Sequence, residues 1–351
     1  LKYTGKIIAL AFPDTFVKLS DERLVSWIVK SGLAGKGDYI KAGHAALVLI
    51  ENETGNAEYY DFGRYVTPRG KGRVRSALTD VELAIPFKAV LSRTKELQNL
   101  HEFLVWLEGN PQKTHGMGRL VASVCDYIDY QKSKAFIQEL QEQGSLPYKA
   151  LPALGKVSSN CSRLVTDTIL AGTDQAKIRR CLKRNRIFSP STVGNVEKSA
   201  LRGQIHEVLK GHVKPYQGTA FRENITNYFD RDIPSAQNTV LKNHSSTSIS
   251  AHAQYLSGIG CGAYFLLKEA IANGTRLFQI ERFTEHGEQD FIGIFEVDDL
   301  AFDSKAPYQF VYDSNCSYCH VEQTSQRFRF DLVERLEGEL QSNTINGKDG
   351  V

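Results

Sequence analysis

The sequence predicts an α+β fold spread over two domains, and three observations lead there. At 351 residues the chain is long enough for more than one hydrophobic core. Its first half alternates short apolar runs, flanked by turn residues, with segments whose apolar positions recur every three or four residues. Composition then shifts near "IFSPSTVGN", and from about His212 onward strands are separated by polar, glycine-containing stretches.

Taken in order, "GKIIALAF" (Gly5 to Phe12) reads as a buried strand. Ser20 is a good cap for a helix over "SDERLVSWIVKSGL", where Glu22 sits in the first turn and Leu24, Trp27 and Ile28 form a stripe. Gly43 precedes the strand "HAALVLIE", "NETGN" is turn-rich, and "AEYYDFGRY" returns as its hairpin partner. "VELAIPF" (Val81 to Phe87) supplies a third strand, with Pro86 marking its end or an edge. "EFLVWLEGNPQKTHGMG" gives a short helix and a loop, and "RLVASVCDYI" a strand. "QKSKAFIQELQEQG" is helical, with Ala135, Phe136 and Leu140 at helical spacing and Gly144 as a stop.

"SLPYKALPALGKVSSN" is a crossing loop, after which Cys161, Val165 and Thr168 or Ile169 share a helical face capped by Ser159 or Asn160. "VEKSALRGQIHEVLKG" reads as a connecting helix carrying Leu201, Ile205 and Leu209. A polar stretch, "QNTVLKNHSSTSISAHAQ", leads into "SGIGCGAYFLLKEAIANG", which reads as a glycine-rich turn followed by a helix. "TRLFQIERF", "DFIGIFEVDDL" and "YQFVYD" are strands. The expected organisation is a first domain over 1–195, a connecting helix over 196–211, an accessory α+β domain over 212–340 and a flexible tail over 341–351.

Composition excludes several classes. Hydrophobic residues make up 41% and charged residues 24%, an ordinary soluble balance, and a formal charge of +3 is too small to imply a nucleic-acid partner. The local basic runs "PRGKGRVR" and "KIRRCLKRNR" read first as solvated faces or loops and second as contacts for an anionic substrate or surface. No apolar run approaches membrane-spanning length, so no integral membrane segment is expected. The six cysteines are too few and too scattered for a disulfide-dense scaffold; they favour a reducing, cytoplasmic compartment and are also compatible with one disulfide. The chain starts at Leu1 rather than at methionine, which leaves processing and export open.

Two residues stand out chemically. A thiol hydrolase needs a thiolate, a nearby imidazole and donors for a developing oxyanion. Cys161 at the head of a helix would have free backbone N–H groups and the positive helix end beside it. His44 on a strand would serve as base and then as acid. Taken alone, "GHA" and "NCS" carry little information, since an internal cysteine is more often an apolar filler and a strand-edge histidine a hydrogen-bonded structural residue.

Their order adds more. "GHAALVL" in a strand, followed much later by "NCSRLV" opening a helix, resembles the circularly permuted NlpC/P60 group of papain-like thiol enzymes, and "YYDFGRY" resembles that group's second strand. The resemblance covers residues 1–195. It implies an antiparallel sheet packed on the nucleophile helix, Cys161 as nucleophile, His44 as its base, and an amide or ester carbonyl as target. A peptide or cell-wall amide is the leading substrate, with residues Arg69 to Arg75 as candidate contacts for its carboxylates. The third group, which orients the imidazole, lies among Glu58, Tyr60 and Asp61; Asp61 is preferred, because a short carboxylate between Tyr60 and Phe62 has little freedom, and Glu58 is the backup. Such chemistry requires neither a metal nor an organic cofactor. Lipid or other acyl transfer is the enzymatic alternative, and a binding or scaffolding protein on a degenerate papain-like domain is the non-enzymatic one. The sequence names no protein partner.

Other signals are weaker. "CSYCH" (Cys316 to His320) has the local form of a haem attachment sequence or of half a zinc site, with His286 as a distant fourth ligand; a structural cysteine pair explains it more simply. "ERFTEHGEQDF" concentrates Glu281, Glu285, His286, Glu288 and Asp290, which a solvated loop between strands explains. "SGIGCG" lacks the phosphate-loop pattern, and its glycines fit a turn or close backbone packing.

Overall fold

The computed structural model describes residues 2–18, 39–149, 158–185, 191–201, 203–229, 249–270 and 276–336. The helix expected over "SDERLVSWIVKSGL", most of "QNTVLKNHSSTSISAHAQ", part of the crossing loop and the tail lie outside them. The chain divides into two compact units, 1–245 with 256–262, and 246–255 with 263–351.

The first unit holds the strands β1 (Gly5–Phe12), β2 (Val17–Lys18), β3 (Tyr39–Ile40), β4 (His44–Glu51), β5 (Ala57–Gly63) and β6 (Lys71–Arg75). Next come the helices α1 (Leu100–Glu108) and α2 (Pro111–Thr114), strand β7 (Leu120–Ile128), helix α3 (Tyr130–Glu142) and the short β8 (Leu146–Pro147). Helices α4 (Cys161–Gly172), α5 (Ala176–Asn185) and α6 (Thr192–Ser199) follow, then strands β9 (Ile205–Leu209) and β10 (His212–Pro215) and helix α7 (Ala220–Phe229). Eight of the strands form one sheet in the order β10-β9-β7-β1-β4-β5-β6-β8, with antiparallel neighbours throughout. The small β2–β3 pair stands apart from it.

Both faces of this sheet are covered. Ile7, Ala9, Ala11, Leu47 and Leu49 pack with Ile137 of α3, Leu164, Val165 and Ile169 of α4, and Val196 of α6. On the other face Ile8, Leu10, Val48 and Ile50 pack with Phe103, Leu104 and Leu107 of α1. A strand covered on both faces gains nothing from a polar alternate residue. Hence "IIALAF" and "AALVLI" are continuous apolar runs, and every residue of β1 is buried.

Three expected elements fold differently. Val81–Leu83 is a 3-10 turn rather than the start of a strand over Val81 to Phe87; only Leu83 of it is buried, so there is no alternating face to dock. The connecting helix expected over 196–211 ends at Ser199. Leu201 takes a positive φ of 48° and the chain re-enters the sheet as β9, pairing with β7. The β9–β10 hairpin turns on Lys210 (φ 52°) and Gly211 (φ 75°), with Leu209 opposite His212, which is the two-residue geometry that requires positive φ at both positions. The helical spacing of Leu201, Ile205 and Leu209 is thus overridden by a ladder, and the first unit extends well past residue 195.

The second unit carries β11 (Gln254–Leu256), which begins in it, then β12 (Ala263–Ala270), β13 (Leu277–Thr284), β14 (Gln289–Val297), β15 (Gln309–Val311), β16 (Tyr318–Gln323) and β17 (Gln326–Arg335). They form one sheet in the order β11-β12-β13-β14-β17-β16-β15. The helix expected after "SGIGCG" is strand β12, whose Phe265 and Leu267 are buried and whose ladder to β13 supplies the hydrogen bonds that a helix would have made internally. Phe278, Phe302 and Phe330 form an edge-to-face aromatic core.

The hairpin makes a prediction that separates the two readings of 196–211. A Cβ at Gly211 would meet nothing within 4 Å, so Gly211→Ala changes only the backbone term. In a helix this substitution would stabilise the protein by about 1 kcal/mol. At positive φ it is expected to destabilise it by about 1 kcal/mol, read as a fall in the midpoint of urea unfolding.

Candidate active site

The site forms where β4 and β5 part. Their ladder begins at Ile50 opposite Ala57 and stops at Ala46 opposite Asp61, while β4 itself starts two residues earlier at His44. The backbone N–H of Ala45 then helps to favour the ionised form of the Cys161 sulfur. Strand alternation sets the rest. His44, Ala46 and the residue opposite Ala46, Asp61, share one face, and Phe12 lies opposite His44 with its ring stacked at 6.3 Å. His44 Nε2 and Asp61 Oδ2 are 3.3 Å apart, both side chains being buried.

Cys161 is the first residue of α4, and its thiol is 7% exposed at the residue level. Asn160 caps the helix, its side-chain oxygen accepting from Arg163 N at 2.8 Å while its amide donates to the Lys149 carbonyl at 2.8 Å. Of the two candidate caps, Asn160 therefore takes the role. The His44 imidazole and the Tyr148 hydroxyl both favour the ionised form of this thiol. With Nε2 engaged by Asp61, Nδ1 is the ring nitrogen left for sulfur.

Burial opposes charge on every member, and in each case the partners outweigh it. Burial raises the Cys161 pKa, but the hydrogen bond and charge of His44, with the Ala45 N–H and Tyr148, bring it below the ordinary thiol value. Burial lowers that of His44, yet Asp61 and Cys161 raise it to about 9. Asp61 has no exposure, and the charge of Arg75 with the hydrogen bonds from His44 and Arg75 holds its carboxyl well below the usual range. The pair is thus biased toward thiolate and imidazolium.

Arg75 sits directly opposite Asp61 on β6 and grips it at two points, Nε to Oδ1 at 2.9 Å and Nη2 to Oδ2 at 2.6 Å. The Tyr59 hydroxyl donates to Asp61 Oδ2 at 3.1 Å. Beneath the guanidinium lies the Tyr65 ring at 4.0 Å, and on that ring His115 stacks at 4.2 Å. Burial and Arg75 push His115 down to about 3, so it is a neutral imidazole. Gly63 makes this fold-back possible, because a Cβ there would lie 1.8 Å from the Tyr65 ring. Gly260 of "SGIGCG" flanks the same ring, a Cβ there lying 2.2 Å away, and Val66 N donates to the Cys261 carbonyl at 2.9 Å. Close backbone packing, as its glycines suggested, is what that motif provides.

The structure thus brings Cys161, His44 and Asp61 together. Glu58, the backup orienting group, is on the opposite face of β5, where it pairs with Lys134 at 2.5 Å and accepts from Tyr130 at 3.0 Å. Tyr60, beside it, contacts Lys134 at 2.6 Å. Sequence reasoning missed Tyr59, Tyr65, Tyr148 and His115, and counted Arg75 among candidate contacts for a substrate's carboxylates, whereas it is buried against Asp61. It also placed "PRGKGRVR" on a solvated face, whereas Arg73 and Arg75 are buried and paired, Arg73 with Asp80 through two bonds of 2.7 Å. A signal was present: Arg73 and Arg75 alternate with Gly72 and Val74 on a strand beside "YYDFG", a pattern that aims both arginines at one face.

In the second unit Cys316 and Cys319 are buried and not joined by a disulfide, and Cys319 donates to the Asn315 carbonyl. His320 Nδ1 lies 2.9 Å from the Asp313 carbonyl. Among the described residues, no group of three or more His, Cys, Asp or Glu side chains is arranged to hold a metal ion. Asp290 is ion-paired to Arg282 at 2.7 Å and Glu281 to Lys268 at 2.6 Å.

Comparison with known proteins follows this division. Residues 7–178 match a family model described as type VI secretion system effector TseH-like, and residues 253–333 match one described as the DUF6695 C-terminal domain. No curated protein matches the chain. The crystal structure of the type VI secretion system effector TseH is similar at 18% identity and a TM-score of 0.41, covering 62% of this chain and all of that one. Within the described residues no helix is long and apolar enough to cross a membrane.

Proposed function

We propose that the first unit is a cysteine hydrolase that cleaves an amide bond, with Cys161 as nucleophile, His44 as acid and base, and Asp61 as the group that orients the imidazole. The observation that carries this reading is the contiguous set of contacts from the Cys161 sulfur through His44 to Asp61, at the head of a capped helix. The match of residues 7–178 to a type VI secretion system effector TseH-like model supports an effector that acts after secretion; a peptide amide, a cell-wall peptide first, is the target that the NlpC/P60 resemblance implies. The order of a histidine strand before a cysteine helix fits the permuted NlpC/P60 arrangement.

The chemistry follows from the charges. The Cys161 thiolate adds to the carbonyl carbon, and the oxygen gains the negative charge. Two donors are at hand for it: the Cys161 backbone N–H, which has no intrahelical partner, and the Tyr148 hydroxyl. His44 passes its Nδ1 proton to the leaving nitrogen as the C–N bond breaks, leaving a thioester on Cys161. It then takes a proton from water as the water oxygen adds to the thioester, and the acid product leaves with Cys161 returned as thiolate. Asp61 holds the Nε2 proton and so keeps Nδ1 aimed at the reacting atoms.

Two outcomes are expected. Cys161→Ser and His44→Ala, each folded by circular dichroism, should lose at least about 10³-fold in amide hydrolysis on a peptidoglycan-peptide panel, and mass spectrometry of Cys161 should trap an acyl adduct in the unaltered chain. Retained cleavage in Cys161→Ser would sink the nucleophile assignment. The pH profile should also be bell-shaped. Its acid limb follows Cys161 ionisation, below the ordinary thiol range, and its alkaline limb falls near pH 9 as His44 loses the proton that the leaving group needs. An alkaline limb near pH 6.5 would show that His44 is not held by its neighbours.

A further inference from the structure

We propose that Arg75 is a positioning residue of this site: it fixes Asp61 against His44 through its two-point grip and balances Asp61's charge, so that the Cys161–His44 couple works inside a neutral cluster of four charges. The proposal rests on the reading of Cys161 and His44 given above.

Geometry supplies the first half. Asp61 Oδ2 receives Arg75 Nη2, His44 Nε2 and the Tyr59 hydroxyl, and Oδ1 receives Arg75 Nε. A carboxylate gripped by a planar fork cannot turn about its own axis, so the oxygen offered to His44 has a fixed position. Arg75 is fixed in turn by the Tyr65 ring at 4.0 Å and by the Lys113 carbonyl at 3.2 Å. The fork spans only 1% exposure, so water does not substitute for either partner.

Charge supplies the second half. Thiolate, imidazolium, carboxylate and guanidinium sum to zero in a dry enclosure, where an uncompensated charge is costly. Most other ionisable groups around them are paired or neutral, and the two charged ones at the margin, Glu82 and Arg64, are opposite in sign. On β6 and the 3-10 turn, Arg73 is paired with Asp80, and Glu82, part-exposed, reaches Arg75 at 4.0 Å. After α2, His115 is neutral, and burial keeps Tyr59, Tyr65 and Tyr148 protonated. Beyond β5, the Arg64 guanidinium lies over the Tyr148 ring at 4.9 Å.

Removing one charge therefore has a sign that a mere structural clamp would not produce. Loss of the cation raises every ionisation in the couple, and loss of the anion lowers every one. The experiment is site-resolved alkylation of Cys161 with iodoacetamide across pH in the full chain, for the unaltered protein, Arg75→Met, Arg75→Lys and Asp61→Asn. The expected result is an acid limb moved up by about one pH unit or more in Arg75→Met, held in place in Arg75→Lys, and moved down in Asp61→Asn. A limb unmoved in Arg75→Met, or moved in the same direction in Arg75→Met and Asp61→Asn, overturns the charge role. If Arg75→Met does not fold, Asp61→Asn decides, and an upward or absent shift overturns it. Ordinary, His44-independent labelling of Cys161 in the unaltered chain would instead sink the underlying reading, and the Arg75 proposal with it.

Discussion

A carboxylate with no exposure keeps its charge only if something positive touches it, and at Asp61 that contact is the Arg75 fork. The rest of the site is arranged around this ion pair. Asp61 is placed by the β4–β5 register and Arg75 by the β5–β6 register, so two backbone ladders set one side-chain contact. Tyr65 folds back over Gly63 to roof the guanidinium, and His115 closes on Tyr65. Removing either partner of such a pair costs about 3–5 kcal/mol, chiefly through the charge left behind. Stability and chemistry therefore depend on the same two strand positions, Asp61 and Arg75.

Much of this was legible in the sequence, for identifiable reasons. A strand buried on both faces is an unbroken apolar run, so β1 and β4 announce themselves, and Asn160 before Cys161 is a cap in plain chemical terms. The hairpin partner of β4 follows from "NETGN". What the sequence could not supply was register. Choosing between Glu58 and Asp61 requires knowing which residue of β5 faces Ala46, and no local signal encodes that. The helix expected over 196–211 failed for a related reason: its apolar spacing is helical, but Lys210 and Gly211 sit in a turn that long-range pairing with β7 rewards.

The same limit explains the arginines. A run of basic residues reads as solvated because charge is rarely buried unpaired, and the partners Asp61 and Asp80 are not adjacent in sequence. Composition describes the run, whereas only topology reveals its partners. Tyr148 and His115 were invisible for a further reason, since each reaches the site from a loop or a helix end rather than from a periodic element.

The position of β1 has a practical consequence. In the strand order β10-β9-β7-β1-β4-β5-β6-β8, β1 joins the group that carries His44, Asp61 and Arg75 to the group formed by β7, β9 and β10. β1 is therefore the keystone of the sheet rather than an edge. Removing Gly5–Phe12 would split one continuous sheet into two pieces with raw, unpaired edges.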